Sequence, residues 1–169
     1  RARGGQGTAV SPREDENARF HTMPPPLFTT RNLNRFARSQ PTLAGNARLI
    51  ALLWVTQADV IVACFDAKYH HYRWRPTSAI EAIDPAWKPR VPTPNHPEYP
   101  AAHSCIAGTL SETLRQAFGT RKLAFSFYST VTGTTHDYAS IDEMADELGV
   151  ARIWGGMHFR TSLNDGRAL

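Results

Sequence analysis

One stretch constrains the fold more than any other: LIALLWVTQADVIVACF, from Leu49 to Phe65. Its apolar residues fall nearly all round a helical wheel, and such a helix has to be surrounded on most sides. The helix is predicted from about Leu43 to about Tyr72, because Pro76 drives Arg75 out of helical geometry and so closes the run. Gln57 and Asp59 interrupt the stretch, which falls short of the roughly 20 apolar residues that a membrane-spanning helix needs. The expectation is a core helix at the centre of a bundle, with no membrane span.

Around it the chain reads as further helices joined by proline-rich connections. Residues 1–10 are rich in Gly and Arg and are expected to be disordered or docked. Ser11-Pro12-Arg13-Glu14 has the form of a capping box with proline at the first helical position, opening a helix to about Phe20. Met23-Pro24-Pro25-Pro26 is expected to be extended, with Thr29 or Thr30 capping a helix that carries Leu33, Phe36 and Ala37 on one side. Asp84 to Pro100 contains six prolines and reads as a long loop, which in a small domain is usually functional. Helix is expected again from Pro100 to about Phe118, stopped by Gly119. LAFSFY, Leu123 to Tyr128, is β-prone, and Ser140-Ile141-Asp142-Glu143 is a second capping box opening a helix to about Ile153. Gly155-Gly156 breaks that helix before a final one near His158. The fold class is therefore mainly α: a helical bundle with proline-rich loops and at most a short β-hairpin. With 169 residues and no internal repeat, residues 11–169 are expected to form one domain.

The formal charge is +4 and arginine outnumbers lysine. That excess suits anionic partners, or simply a solvated basic surface. No block of like charges and no RNA-binding aromatic signature accompanies it, so nucleic acid is not favoured. Cys64 and Cys105 belong to no CxxC pair, which excludes zinc-ribbon chemistry, and both read as small buried residues.

Three short stretches carry candidate chemistry. KYHHYRWRP places Lys68 and Arg75 seven apart, two helical turns, so both are expected on one helix face. Two cations there repel unless an anion or carboxylate lies between them, and Asp66 and Asp84 are the nearest candidates in sequence; alone, the stretch also reads as a solvated helix end. Adjacent His70 and His71 point about 100° apart in a helix and make a poor metal pair. In HPEYPAAHS, Pro100 opens a helix whose first N–H groups, from Ala101, Ala102 and His103, form an anion site. His103 stands beside it as a proton donor or acceptor, or as an ordinary surface histidine. In RIWGGMH, the glycines let Arg152 end one helix and His158 start the next, both aimed at one point; an ordinary turn between packed helices reads equally well.

Taken in order, Lys-x6-Arg-Pro, Pro-x-x-His and Arg-x5-His resemble the three-part signature of the vanadium-dependent haloperoxidase and type 2 phosphatidic acid phosphatase superfamily. The flanking words FDAKYHHYRWRPTSAI, PTPNHPEYPAAHSC and ARIWGGMHFR are similar to its haloperoxidase-related branch, and the likeness spans roughly Ala44 to Gly166. The resemblance implies a helical-bundle site around a tetrahedral oxyanion, vanadate or phosphate. Lys68, Arg75 and Arg152 would neutralise the equatorial oxygens, helped by the backbone N–H of Ala102. His158 would be the axial vanadium ligand, or the nucleophile of a phosphatase, and His103 the acid–base residue. His70, His71 and Arg73 would be supporting or surface residues. The implied partners are hydrogen peroxide and halide, or a small phosphate ester. The family also suggests a secreted or periplasmic setting, although the sequence assigns no compartment.

The chain departs from the pattern in three ways. Pro100-Ala101-Ala102-His103 stands where the family usually has Pro-Ser-Gly-His, so a serine hydroxyl is missing; an oxyanion-hole donor is worth on the order of 2–4 kcal/mol. Ser162 stands four residues after His158, where an imidazole-orienting aspartate is usual, and Asp165 is the substitute on the same face. Members are also usually longer, which suggests a fragment, or a partner chain or homo-oligomer that completes the bundle. Three functions follow: a vanadate-dependent haloperoxidase, an acid phosphatase working through a phosphohistidine, or a non-catalytic oxyanion-binding scaffold.

Overall fold

Local signals place most of the elements in the computed structural model, which describes residues 4–23 and 25–169. The Ser11 capping box forms, its hydroxyl accepting from Glu14 N and the Glu14 carboxylate accepting from Ser11 N, and it opens α1, Pro12–Phe20. Such a cap contributes about 1 kcal/mol. Next, α2 spans Pro25–Leu33 and runs into a 3-10 turn, Asn34–Arg38. Pro25 and Pro26 are thus helical rather than extended, because proline fits a first turn whose N–H groups have no intrahelical acceptor. Pro24 and the side chain of Ala37 lie outside the described residues. Thr29 and Thr30 fall inside α2 instead of capping a later helix.

The long helix is α3, Leu43–His71, capped by the Thr42 side chain on Gly45 N and ended by Tyr72 in the left-handed region at φ 50. It does not lie at the centre of the bundle. One stripe is buried, Leu49, Leu53, Gln57, Val60, Cys64 and Lys68, at helical spacing. Val55 and Val62 on the other side are 56% and 71% exposed. Among the described residues α5, Ala102–Phe118, packs along it and the 3-10 turn meets it, which leaves the opposite side open and the helix on the flank of the bundle. By length and composition alone, Leu43–Glu81 is long and apolar enough to cross a bilayer, so the expectation that it falls short does not hold.

A short helix α4, Pro76–Glu81, precedes the proline-rich loop. The helix after the loop starts at Ala102, two residues later than Pro100 suggests. Gly119, at φ 68, ends it. Strands β1, Phe125–Ser129, and β2, Thr134–Tyr138, pair antiparallel with Phe127 opposite His136. Capped by Ser140, α6 runs Ile141–Trp154, and α7 is Arg160–Ala168. Phe20, Leu53, Leu114, Phe127, Ile141 and Met144 form the heart of the main apolar cluster, each contributing roughly 1.5–3 kcal/mol on burial. A smaller cluster around Val60, Cys64, Ala102 and Cys105 fills the space between α3 and the start of α5, next to the candidate site.

Near the N-terminus, Gly4 O accepts from Arg90 N and Gly5 bridges Pro89. Gly4 sits so close to the Gly155-Gly156 turn that a methyl built on it would lie 2.3 Å from Ile153 O. This strap holds the proline-rich loop against the turn that precedes His158.

Candidate oxyanion site

Lys68 is completely buried at the last turn of α3, where Nζ donates to Pro97 O at 2.9 Å and Glu98 O at 3.0 Å. Arg75 does not share its helix face. The left-handed turn at Tyr72 ends α3, and Arg75 stands beyond it as the extended residue that opens α4. From there its guanidinium folds inward: Nε donates to His96 O and Nη1 to Met157 O, each at 3.0 Å. Nη1 also lies 3.1 Å from His158 Nε2. Arg152, in the last turn of α6, is 2% exposed, and its Nη1 donates to His21 O at 3.2 Å. Its Nη2 meets the Met157 sulfur, while its buried Nε has no hydrogen-bond partner among the described residues.

His158 is buried in the link between α6 and α7, two residues before the helix that was expected to begin with it. Its Nδ1 is 2.9 Å from Glu98 Oε1. The same carboxylate accepts from Phe159 N at 2.9 Å and from the Ser162 hydroxyl at 2.6 Å. A carboxylate only accepts here, so Nδ1 carries the proton. Burial first, and then the charges of Arg75, Arg152 and Lys68, hold the His158 pKa well below the usual histidine value. The ring is therefore neutral, with the Nε2 lone pair turned toward Arg75.

Glu98 thus does what Asp165 was expected to do. Asp165 is exposed and accepts from Tyr99 Oη at 2.8 Å, away from His158. Asp66 and Asp84 are likewise exposed and do not separate Lys68 from Arg75. Glu98 was missed in the sequence, although it carried a signal: it is the only Asp, Glu, Lys or Arg between Arg90 and Glu112. His96 was missed as well. Burial and the neighbouring Lys68 and Arg75 lower its pKa to about 4; its Nδ1 lies 3.0 Å from Arg75 Nη2, which can only donate, and 3.2 Å from Pro97 O.

His103 is half-buried in the first turn of α5, with Nε2 donating to His21 O at 3.2 Å, the same carbonyl that Arg152 uses. Burial and then Arg152 keep it neutral. Ala101 is the N-cap of α5 and supplies no side-chain cap. Its own N–H is not available to an anion, being bonded to Ser162 O. Ala102 and His103 come next, at positions where N–H groups have no intrahelical acceptor. His70, His71 and Arg73 are exposed, and Arg73 covers the Tyr99 ring at 4.1 Å.

Ala102, His103, Arg152, His158 and His96 line one cavity of about 510 Å³, closed by apolar side chains that include Met23, Ile61 and Phe65. Lys68 and Arg75 stand behind His96 and His158. The electrostatics are unbalanced. Lys68, Arg75 and Arg152 face a single carboxylate, Glu98, which is engaged by His158, Phe159 and Ser162 instead of by the cations. Carbonyl groups solvate the cations without neutralising them. Burial accordingly lowers the pKa of Lys68 to about 8, of Arg152 to about 9 and of Arg75 to about 10. A tetrahedral oxyanion would supply the missing negative charge, and the orphaned Arg152 Nε and the His158 Nε2 lone pair are suited to it.

Residues 48–169 match the VCPO second helical-bundle domain family. No curated protein sequence matches the chain. Among solved structures, a bacterial vanadium-dependent iodoperoxidase is similar at 27% identity and a TM-score of 0.81, over 92% of this chain and 42% of that one. The holo form of a bacterial vanadium-dependent chloroperoxidase has a TM-score of 0.79 at 15% identity, over 94% of this chain and 42% of the other. Its likeness is one of fold. The chain spans about two fifths of the length of these proteins.

Proposed function

This chain belongs to the VCPO second helical-bundle domain family, and on that footing we propose that its buried cationic cavity binds vanadate and supports oxidation of halide by hydrogen peroxide. The observation that carries the reading is the charge imbalance: three buried cations converge beside a neutral histidine whose Nε2 lone pair is fixed in place, with one carboxylate among them. Arg152, Arg75 and Lys68 would hold the anion's oxygens together with the N–H of Ala102, and His158 Nε2 would be its protein ligand. Bound vanadate supplies a Lewis-acidic centre that activates peroxide toward halide.

The rest of the chemistry falls to the chain's own residues. Glu98 keeps the proton on Nδ1 of His158 and so keeps Nε2 unprotonated. His103 is neutral and lines the cavity, placed to accept a proton from an incoming peroxide and to return it. The apolar wall of Met23, Ile61 and Phe65 limits water and strengthens each charge-assisted hydrogen bond.

The test is titration of the purified chain with orthovanadate, followed by halogenation with peroxide and iodide or bromide. Iodide comes first because the similar structure at 27% identity is an iodoperoxidase. Halogenation that needs vanadate and vanishes in His158→Ala supports the proposal. Phosphatase activity inhibited by vanadate would replace it with the phosphohistidine reading, and tight vanadate binding with neither activity would leave an oxyanion-binding scaffold.

A further inference from the structure

Behind the cavity, on the far side of the His21 carbonyl, lies a second cluster that the oxyanion chemistry does not use. Glu147, on α6, reaches toward the hairpin and the end of α1. Its Oε1 takes three contacts at once: His136 Nδ1 at 2.7 Å, Tyr138 Oη at 2.7 Å and His21 Nε2 at 3.1 Å. None of the three uses Oε2. The ligating atoms of His21, His136 and Glu147 all lie within 4.8 Å of one another. We propose that His21, His136 and Glu147 form a divalent transition-metal site, suited to zinc, at the junction of α1, the hairpin and α6.

Several independent features point to a cation. Two ring nitrogens and a phenol hydroxyl converge on one carboxylate oxygen, Glu147 Oε1, at 2.7–3.1 Å. Two imidazoles and one carboxylate are a donor set that zinc takes with an open fourth position. The supporting shell is also built. His136 Nε2 lies 2.8 Å from Glu16 Oε2, so with zinc bound Glu16 would hold that ring hydrogen and leave Nδ1 to the ion. The ring is stacked on Phe20 with centroids 3.7 Å apart. Tyr138 Oη orients the carboxylate. His136 and Glu147 are each partly exposed, which leaves an entry path, while His21 is buried.

Zinc would sit between the two rings and the Glu147 carboxylate, taking the place of any ring hydrogen there. His136 would keep its Nε2 hydrogen on Glu16, and His21 would take the tautomer that frees Nε2. No step of this depends on vanadate. A bound ion would nonetheless stiffen His21, whose carbonyl accepts from both His103 and Arg152.

The experiment uses the full chain carrying His70→Ala and His71→Ala, which removes the exposed adjacent histidines as a source of adventitious binding. The protein is stripped with a chelator, and zinc chloride alone is titrated in competition with a chromophoric chelator. The expected result is one equivalent per chain, an absorption-edge spectrum with nitrogen and oxygen neighbours at about 2.0–2.1 Å and no sulfur, and a raised thermal midpoint. Glu147→Gln should abolish uptake, and Glu16→Gln should weaken it by roughly 10–100-fold. Both are conservative, and circular dichroism checks that they fold. Failure of the folded protein to take up zinc, sulfur in the shell, or uptake unchanged in Glu147→Gln would overturn the assignment. Vanadate binding, measured separately, can fail or succeed without altering the zinc result.

Discussion

Glu98 and His158 meet 2.9 Å apart with both side chains almost fully buried, 60 residues apart in the chain. This contact ties the proline-rich loop to the link between α6 and α7. Because Glu98 O also accepts from Lys68, one loop residue positions a cation through its backbone and an imidazole through its side chain.

Removing that carboxylate should therefore damage stability and site together. Glu98→Ala leaves His158 Nδ1, Phe159 N and the Ser162 hydroxyl without their acceptor. Each buried donor left without its acceptor costs about 1–3 kcal/mol. Glu98→Gln keeps an acceptor oxygen and should cost about 1–3 kcal/mol. Urea unfolding gives the ranking, and equal stability of all three proteins would show that the contact contributes nothing.

Anion affinity should fall as pH rises past about 8. Burial, with the neighbouring Arg75, lowers the Lys68 pKa from 10.5 to about 8. The folded pKa lies below the unfolded one, so the charge on Lys68 costs stability below about 8. That cost disappears as pH climbs toward 10.5. An oxyanion needs the charged form, so its affinity is greatest below about 8 and weakens above, while the guanidinium of Arg152 stays charged throughout. Tungstate is a suitable probe, since it stays a dianion across this range. Bound anion raises the Lys68 pKa, so the observed midpoint should lie above 8. Affinity that is flat from pH 7 to 10 would mean that Lys68 does not touch the anion.

The sequence reading and the structure part company where the chain leaves regular geometry. Helix bounds set by local chemistry, the Ser11 and Ser140 caps and the Gly119 stop, are legible because they depend on neighbours three or four residues away. The arginine, lysine and histidine cluster is legible as an ordered set of motifs. Its geometry is not: a seven-residue spacing puts Lys68 and Arg75 on one helix face only if the helix continues, and Tyr72 turns left-handed between them. Nor does the wheel of α3 say which side is covered, since apolar residues all round are equally compatible with a central and a flanking helix. Glu98 was overlooked because its partner lies 60 residues away. The cluster at Glu147 depends on three elements meeting, which no spacing shows.

Ala101→Ser should stabilise the fold. Ala101 is the N-cap of the longest helix after α3, in extended geometry at ψ 113, and provides no side-chain acceptor. A serine hydroxyl there can accept from the N–H of His103 or Ser104, and the exchange from Ala to Ser at an N-cap is worth about 0.5–2 kcal/mol. Thermal and urea unfolding measure the gain. Unchanged stability with tighter vanadate binding would mean that the hydroxyl is directed to the anion instead, and a loss of both would show that the fully buried position has no room for an oxygen.

Two glycines separate packing at the site from packing elsewhere. Gly166, on α7, lies under the start of α5, and a methyl built there would stand 2.8 Å from Ala101 O and 3.3 Å from Cys105 Sγ. Gly166→Ala must push Ala101 and the first turn of α5 away, moving Ala102 and His103 with it. Overpacking of this sort costs about 1–3 kcal/mol, and tungstate affinity should fall alongside stability. Gly119 sits at the far end of the same helix at φ 68 with open space around it. Gly119→Ala should destabilise by about 1–2 kcal/mol through backbone strain alone, and tungstate affinity should be unchanged. Measuring both variants by urea unfolding and anion titration separates the effects: if Gly119→Ala loses affinity in step with stability, anion binding reports only global folding, and the first turn of α5 has no special part in holding the anion.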